Sequence, residues 1–322
     1  MSTSFIEVKN LEKVYAAKAS FLNRKPERVI AVDNVSFSIK RGEEFSVLLG
    51  ESGSGKSTIG KSLLRLHEIT AGSVTYKDQD IHELSKKDMR RLRPKLQFVF
   101  QDPFSSLNPR LRIGEALAEP LLDHGLATKA TVREKVLSVM ELCGLPHYHI
   151  DKFPHEFSGG QRQRIGIARA VIMDPEFIVA DEPVSALDVS IQAQIINLFQ
   201  ELQEKKNMAY LFISHDLSVV EHLCTRIGVL YLGTMMELGS RDQLYQNPLH
   251  PYTRALLAAV PVPDPKRRRE HVPLKGDVPN PADPPSGCKF HTRCPLATEA
   301  CAAEVPAFRE VEPGHYVACH FA

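Results

Sequence analysis

The sequence predicts a mostly parallel α/β fold in which one strand runs directly into a phosphate-binding loop. Residues 45–49 form an apolar run of strand length that ends at Gly50, and residues 57–66 carry apolar side chains at helical spacing. From residue 177 to residue 239, short apolar runs alternate with helical patterns, which is typical of parallel strands joined by helices. These features together indicate a nucleotide-binding α/β domain.

The other segments fit around this core. Residues 5–10 and 30–38 alternate apolar and polar side chains, which favours half-buried strands, and residues 95–100 indicate a further strand. Residues 105–172 are predicted to be mostly helical, with breaks at several prolines. The predicted divisions are a large domain over residues 1–258 with a helical part at about 102–172, a proline-rich linker over 259–287, and a four-cysteine segment over 288–322.

Composition excludes some classes of function. The chain has 322 residues with a formal net charge of +1, 43% hydrophobic and 25% charged residues, so nothing in it favours a nucleic-acid partner. The first residues lack the apolar core of a signal peptide, and no apolar run reaches the roughly 18 residues of a membrane span. We therefore expect any membrane role to go through partner proteins, and the six cysteines to stay reduced.

Residues 50–57 fit the phosphate-loop motif G-x-x-x-x-G-K-[ST] at every fixed position. Its glycines let the backbone curl so that successive N–H groups point at phosphate oxygens, and the helix that follows adds its positive end. Lys56 is expected to reach the β- and γ-phosphates, and the Ser57 hydroxyl to bind Mg²⁺. The expected contacts to the nucleotide from this loop are Gly50, Ser52, Gly53, Ser54, Gly55, Lys56, Ser57 and Thr58.

An acidic pair follows the apolar strand predicted at residues 177–180. A carboxylate at the end of such a strand can hold Mg²⁺ through water, which is the role expected for Asp181. The adjacent Glu182 is expected to polarise the attacking water as the general base.

A second glycine turn lies at Ser158-Gly159-Gly160-Gln161, ahead of a helix predicted over 162–171. A helix N-terminus of this kind is a second anion site, and one small domain rarely needs two for one nucleotide. Two subunits facing head to tail would use both, with each ATP between the Lys56 loop of one chain and the Ser158 loop of the other.

At this point the sequence resembles the ATP-binding subunits of ABC proteins, over roughly residues 5–258. The resemblance implies a P-loop NTPase (RecA-like) core with a helical subdomain and an antiparallel β-subdomain. It also implies adenine stacking by Tyr15, contact with Mg²⁺ and the membrane partner by Gln101, and sensing of the γ-phosphate by His215. Residues 157–161 match the family signature, with Phe157 where leucine is usual, and Asp188 ends the loop 185–188 that crosses the dimer seam. The catalytic residues expected on this basis are Lys56, Gln101, Glu182 and His215.

The amino-acid sequences of residues 102–109, 180–194 and 247–253 are similar to those of the oligopeptide/dipeptide importer branch. Residues 183–186 and an insert at 16–28 resemble its second, F-type ATPase subunit. The resemblance implies a peripheral subunit at the cytoplasmic face of the cell membrane. Its implied partners are a second ATPase subunit, two transmembrane permeases and an extracellular or periplasmic substrate-binding protein.

Alternatives remain for the transported substrate and for the class of ATPase. Short peptides are expected, but the same branch includes importers of nickel or other metal chelates and of glutathione. A soluble ABC ATPase that acts on DNA or ribosomes is the other possibility. Those proteins typically carry coiled-coil insertions or two cassettes, and this chain has one cassette and no heptad run.

Four cysteines, Cys288, Cys294, Cys301 and Cys319, follow the proline-rich linker. Four thiolates in a segment with little core of its own suggest a metal that staples the tail. From the residues alone, zinc and an iron–sulfur cluster remain close alternatives, although the C-x₂₋₄-C turns favoured by zinc are absent. The resemblance to the peptide branch implies a [4Fe–4S] cluster, with Zn²⁺ or a tail without metal as the alternatives.

Overall fold

The structure, a computed structural model, describes residues 4–16, 28–40, 45–260, 274 and 276–322. The interior of the insert predicted at 16–28 lies outside the described residues. So do residues 261–273 and 275 of the predicted linker.

The strands and helices follow the order that the sequence predicts. The strands are β1 (Ser4–Ala16), β2 (Arg28–Lys40), β3 (Phe45–Leu49), β4 (Ala71–Tyr76), β5 (Gln79–Asp80), β6 (Leu96–Val99), β7 (Phe177–Asp181), β8 (Ala209–Ile213), β9 (Arg226–Tyr231), β10 (Thr234–Ser240), β11 (Arg309–Glu312) and β12 (His315–Val317). The helices are α1 (Lys56–Leu63), α2 (Lys86–Leu92), α3 (Pro103–Ser106), α4 (Ile113–Asp123), α5 (Val132–Leu142), α6 (Gly159–Val171), α7 (Val189–Lys206), α8 (Leu217–Leu223), α9 (Arg241–Gln246), α10 (Pro251–Ala258) and α11 (Glu299–Ala303).

The chain divides into two compact units. The first comprises Met1–Lys40, Phe45–His82 and Ser214–Ala322, and the second comprises Arg41–Glu44 and Glu83–Ile213. The phosphate loop belongs to the first unit, and the acidic pair and the second glycine turn belong to the second.

The first unit contains an antiparallel sheet of order β2-β1-β4-β5 and a run of strands in the order β11-β12-β10-β9-β3. β3 is parallel to β9, whereas β9, β10, β12 and β11 pair antiparallel to one another. The cysteine segment is therefore not an appendage without core, as the sequence suggested, because β12 pairs with β10 through Tyr316 and Leu238. Phe290 and Val317 of this segment are fully buried.

The second unit is built on parallel strands in the order β8-β7-β6. Every residue of β7 is buried, which agrees with its uninterrupted apolar sequence. Helices α4, α5 and α6 pack against one another, and α3 packs on α6. The segment predicted to be mostly helical therefore contains α3 to α6, with proline inside α4 at Pro120.

Two helix boundaries differ from the sequence expectation. α6 begins at Gly159 rather than at residue 162, because Ser158 and Gln161 cap its first turn reciprocally. α1 ends at Leu63, and Arg65 shortly after it has a φ of 48°, a left-handed conformation that stops a helix. In the described part of the chain, no helix combines the length and apolar character needed to cross a bilayer.

Candidate functional site

The phosphate loop curls between β3 and α1, and two of its glycines are required by its shape. Gly55, the N-cap of α1, has φ 98° and ψ −1°, a left-handed conformation. A Cβ atom on Gly55 would lie 2.2 Å from the Ala31 carbonyl oxygen, and one on Gly50 would lie 2.2 Å from the Leu230 carbonyl oxygen. The loop is thus pressed against β2 and β9, and any side chain at these glycines would displace it.

The side chain of Lys56 lies inside this loop and is only 4% exposed. Its Nζ donates hydrogen bonds to the carbonyl oxygens of Gly50 and Glu51 at 2.8 and 3.0 Å, and to Oγ of Ser54 at 3.3 Å. The phosphate loop therefore holds the Lys56 ammonium at the N-terminus of α1, where the helix favours a bound phosphate.

The structure adds contacts to the loop that the sequence did not indicate. Both terminal nitrogens of Arg293 donate to the Glu51 carboxylate, at 2.6 and 3.1 Å. The backbone N–H of Glu51 donates to the Tyr252 hydroxyl at 2.9 Å. No local pattern links residues so far apart in the chain, although the motif at 247–253 had drawn attention to Tyr252.

Two further residues predicted for the nucleotide site, His215 and Tyr15, lie in the first unit. His215 is exposed and follows Ser214, whose backbone N–H donates to the Leu48 carbonyl oxygen of β3 at 3.2 Å. Tyr15 is 38% exposed near the end of β1, and its hydroxyl lies 2.7 Å from Nδ1 of His67. Nζ of Lys13 lies 4.9 Å from the centroid of the Tyr15 ring, and the nucleotide contacts of Tyr15 and His215 stay predictions.

In the second unit, the acidic pair ends β7. Asp181 is the last residue of the strand and is 4% exposed. Glu182 has a φ of 45°, and its N–H donates to the Ile213 carbonyl oxygen at 3.0 Å, so its backbone leaves the strand direction at once. Nε2 of Gln101 donates to Oε2 of Glu182 at 2.9 Å, which joins two of the residues predicted for catalysis.

The second glycine turn forms the exposed start of α6. Oγ of Ser158 accepts from the Gln161 N–H at 3.4 Å, and the Ser158 N–H donates to Oε1 of Gln161 at 3.1 Å. A Cβ atom on Gly160 would lie 2.5 Å from Cγ2 of Ile191, so glycine lets the first turn of α6 approach α7. Asp188, the exposed N-cap of α7, stands beside this contact. Ser158, Gly159 and Asp188 are thus exposed at two helix N-termini, whereas Phe157 of the predicted signature is buried.

A backbone hydrogen bond joins two of the four tail cysteines. The N–H of Cys288 donates to the carbonyl oxygen of Cys301 at 2.8 Å. Burial raises the pKa of the Cys288 thiol, and the charges of Cys301, Cys294 and Cys319 raise this pKa further. Within the residues that the structure describes, however, no three His, Cys, Asp or Glu side chains are positioned to bind a single metal ion. The close tetrahedral set that zinc requires is not formed here.

The remaining cysteines behave as the sequence predicts. Cys143 and Cys224 are buried small side chains, and burial raises the pKa of each thiol to about 12.

Comparison with known proteins covers the whole chain. The family model described as ABC transporter matches residues 32–185, and that described as Oligopeptide/dipeptide transporter, C-terminal region, matches residues 236–301. The chain is 55% identical over 317 residues to a Brucella ovis protein named for peptide import and ATP binding, with 98% of both chains covered. It is 52% identical to the oligopeptide transport ATP-binding protein AppF of Bacillus subtilis. That alignment covers 98% of this chain and 97% of AppF.

Solved structures agree with the fold. A dimeric ATP-binding cassette in a post-hydrolysis state, bound to ADP and Pi, matches with a TM-score of 0.65 and 30% identity. The match covers 73% of this chain and 98% of that one.

Proposed function

We propose a specific task for this chain, which belongs to the ABC transporter family of peptide-import ATP-binding proteins: it hydrolyses ATP to power the uptake of di- and oligopeptides. The observation that carries the proposal is the phosphate loop, with Lys56 buried among its carbonyl groups at the start of α1. Whole-chain identity to relatives named for peptide transport supports the choice of substrate.

In this proposal the residues of the loop hold the ATP phosphates. Backbone N–H groups of Ser52, Gly53, Ser54 and Gly55 surround them, with Lys56 on the β- and γ-phosphates and Thr58 in the first turn of α1. Tyr15 stacks on adenine, and His215 contacts the γ-phosphate. Glu182 accepts the proton of the attacking water, which is the acid–base part of the chemistry.

The residues predicted to bind Mg²⁺ supply oxygen donors of the kind that this ion prefers. The Ser57 hydroxyl, the Asp181 carboxylate and the Gln101 amide oxygen would hold it, since hard cations prefer such ligands. When bound, the ion would neutralise the negative charge that develops on the phosphates.

The exposed start of α6 supports a head-to-tail dimer. Ser158 to Gln161 and Asp188 of one subunit would close on the ATP held by the phosphate loop of a second ATPase subunit. The dimeric cassette bound to ADP and Pi, to which this chain is similar, is consistent with this arrangement. ATP favours the closed dimer because only that state offers both phosphate-binding sites, and hydrolysis removes the preference.

The transport partners follow from the family. We propose that the chain lies at the cytoplasmic face of the membrane with a second ATPase subunit and two permeases. A substrate-binding protein outside the membrane would deliver the peptide to the permeases. Import of nickel or metal chelates, or of glutathione, and a soluble role on DNA or ribosomes are less favoured because the relatives compared are named for peptide transport.

The test is purification of the membrane complex with this chain tagged at its native level, followed by ATPase measurements in proteoliposomes. We expect two permeases and a second ATPase to co-purify, and short peptides with the binding protein to stimulate hydrolysis. Stimulation by nickel or glutathione instead of peptides would overturn the substrate. Recovery only with ribosomes or DNA-repair proteins would overturn transport.

We also propose that the tail cysteines hold a [4Fe–4S] cluster. The support for this is that four free cysteines lie within one short segment, the number of thiolates that hold such a cluster. Its chemistry when bound is that of an iron–sulfur centre held by cysteine thiolates.

The cluster is tested by anaerobic purification and by iron, sulfide and zinc analysis. Cys301 is 5% exposed and Cys224 is 4% exposed, so Cys301→Ser and Cys224→Ser are matched core substitutions. Only Cys301→Ser is expected to lose iron and sulfide. Stoichiometric zinc in a colourless protein would contradict the proposal.

A further inference from the structure

Arg293 is a rigidly held cation directed at the phosphate loop. It ends a single helical turn at residues 291–293, and its N–H donates to the Phe290 carbonyl oxygen at 3.0 Å. Phe290 is fully buried, with its ring 5.3 Å from that of Tyr231 and 5.2 Å from that of Tyr252. The Arg293 side chain is 7% exposed. The Arg293 guanidinium is thus held by a part of the tail that is packed against the rest of the first unit.

The partner of Arg293 is an acid in an unexpected place. Glu51 is the second residue of a loop built to bind a highly charged anion, so an unpaired carboxylate there would repel the phosphates. The two-pronged bond from Arg293 neutralises this carboxylate and fixes its direction. The same residue supplies the carbonyl oxygen that accepts from Nζ of Lys56 at 3.0 Å. The conformation of Glu51 therefore affects both the net charge beside the phosphate loop and the position of the Lys56 ammonium.

We propose that Arg293 is a positioning residue for ATP binding, which acts by neutralising and holding Glu51, so that the affinity of the loop for ATP depends on the docked C-terminal tail. The inference rests on the nucleotide site proposed above. It gives the C-terminal region a role in the ATP site in addition to any role of its cysteines.

A second ion pair of the tail offers a matched control. Nζ of Lys289 lies 2.7 Å from Oδ2 of Asp33 and donates to the Leu232 carbonyl oxygen at 2.9 Å. The Lys289 side chain is 12% exposed, so it is nearly as buried as that of Arg293. It ties the tail to β2 and to the turn after β9, without a bond to the Glu51 carboxylate. Lys289→Gln should therefore remove one tie of the tail while the Arg293–Glu51 pair stays in place, which leaves the charge of the loop unchanged.

The test measures the Kd of the full-length chain for Mg·ATP, together with its unfolding midpoint. We expect Arg293→Gln to weaken ATP binding by about tenfold, a coupling of ordinary size between two sites. Glu51→Gln should bind ATP at least as tightly as the wild type, because it leaves the cation and removes the acid. The double variant should regain most of the affinity, and added salt should reduce the deficit of Arg293→Gln.

These opposite signs separate positioning from a merely structural tie. If the pair only holds the fold together, Arg293→Gln and Glu51→Gln should lower the unfolding midpoint alike, with no rescue of ATP affinity in the double variant. That result, or an unchanged Kd in Arg293→Gln, would overturn the proposal. Lys289→Gln should keep the wild-type Kd even where its unfolding midpoint falls, and a matching loss of affinity would also overturn it.

Two further variants complete the test. If Arg293→Gln does not fold, Arg293→Lys keeps the charge but loses the two-pronged geometry, and we expect a smaller loss that Glu51→Gln again relieves. An unchanged Kd in Arg293→Lys in that case would overturn the proposal. Lys56→Ala marks the loss of the site itself. A wild-type chain that binds ATP no better than Lys56→Ala would contradict the nucleotide site rather than the role of Arg293 alone.

Discussion

Nε2 of Gln101 donates a hydrogen bond to Oε2 of Glu182 at 2.9 Å, next to the buried carboxylate of Asp181. A neutral amide orients a carboxylate without cancelling its charge, which suits a group that must accept a proton. Glu182 has a positive φ of 45°, so its backbone departs from the strand conformation of β7. The sequence predicted roles for Gln101 and Glu182 but not the hydrogen bond from Gln101 to Glu182.

The first prediction concerns the general base. Glu182→Gln keeps the shape of the side chain but cannot accept the proton, so hydrolysis should fall by about 10²- to 10⁴-fold. ATP affinity should not change, since the loop at Lys56 is untouched. Steady-state ATPase rates and equilibrium ATP binding of the assembled complex measure the two effects. Glu201→Gln on α7, an exposed acid 3.4 Å from Lys205, should behave as the wild type. Undiminished hydrolysis in Glu182→Gln would remove the assignment.

The second prediction concerns the orienting amide. Gln101→Ala should lower kcat by about 10- to 100-fold, because a misdirected base loses much of its effect. Gln101→Glu should be worse than Gln101→Ala, since it sets two like charges side by side. In a Glu182→Gln background, Gln101→Ala should cost less than in the wild type, because the part of its effect that acts through Glu182 is already lost. Additive losses in kcat would show that Gln101 acts independently of Glu182.

Local signals explain what could be predicted from sequence. A strand that ends in a glycine loop followed by a helix is encoded within about a dozen consecutive residues, so the site around Lys56 was predicted with its neighbours. The start of α6 was placed three residues late, because the low helix propensity of Gly159 and Gly160 hides a helix that capping by Ser158 and packing stabilise.

Long-range contacts explain what could not be predicted. Arg293 and Glu51 are separated by 242 residues, and neither stands in a periodic pattern that points to the other. The pairing of β12 with β10 was missed for the same reason, since β12 is three residues long and its sequence carries little strand signal. Packing decides such contacts, and spacing along the chain does not report it.

The third prediction tests the signature helix against a matched cap. Ser240 caps α9 through the same reciprocal bonds with Gln243, at 3.2 and 2.9 Å, that Ser158 makes with Gln161. Ser158→Ala and Ser240→Ala should each lower the free energy of unfolding by about 1 kcal/mol, as loss of a serine cap does. Only Ser158→Ala should also weaken the ATP-dependent association of the two ATPase subunits.

Analytical ultracentrifugation of the ATPase pair, with a hydrolysis-deficient variant and ATP, measures that association. The comparison with Ser240→Ala removes the effect of stability from the result. Equal association in both variants would show that Ser158 caps α6 and does not meet the nucleotide of the partner.

The last prediction concerns acid stability and His250. This residue is 1% exposed; its N–H donates to Oε2 of Glu237 at 3.0 Å, and its Nδ1 accepts the Tyr252 N–H at 3.0 Å. Burial, aided by the charge of Arg254, lowers the pKa of His250 from 6.5 to about 3. The unfolded chain therefore takes up a proton between these values while the folded chain does not.

Folding stability should fall as the pH drops below 6.5 towards 3, by up to about 1.4 kcal/mol per pH unit from this group. His250→Asn can still accept from the Tyr252 N–H but cannot be protonated, so its stability should decline less steeply over this range, whatever its stability at pH 7.

His147→Asn, at a histidine with a 55% exposed side chain, should keep the wild-type slope of stability against pH. Denaturant unfolding across this pH range compares the three proteins. Identical acid slopes in His250→Asn and the wild type would mean that protonation of other groups governs acid unfolding.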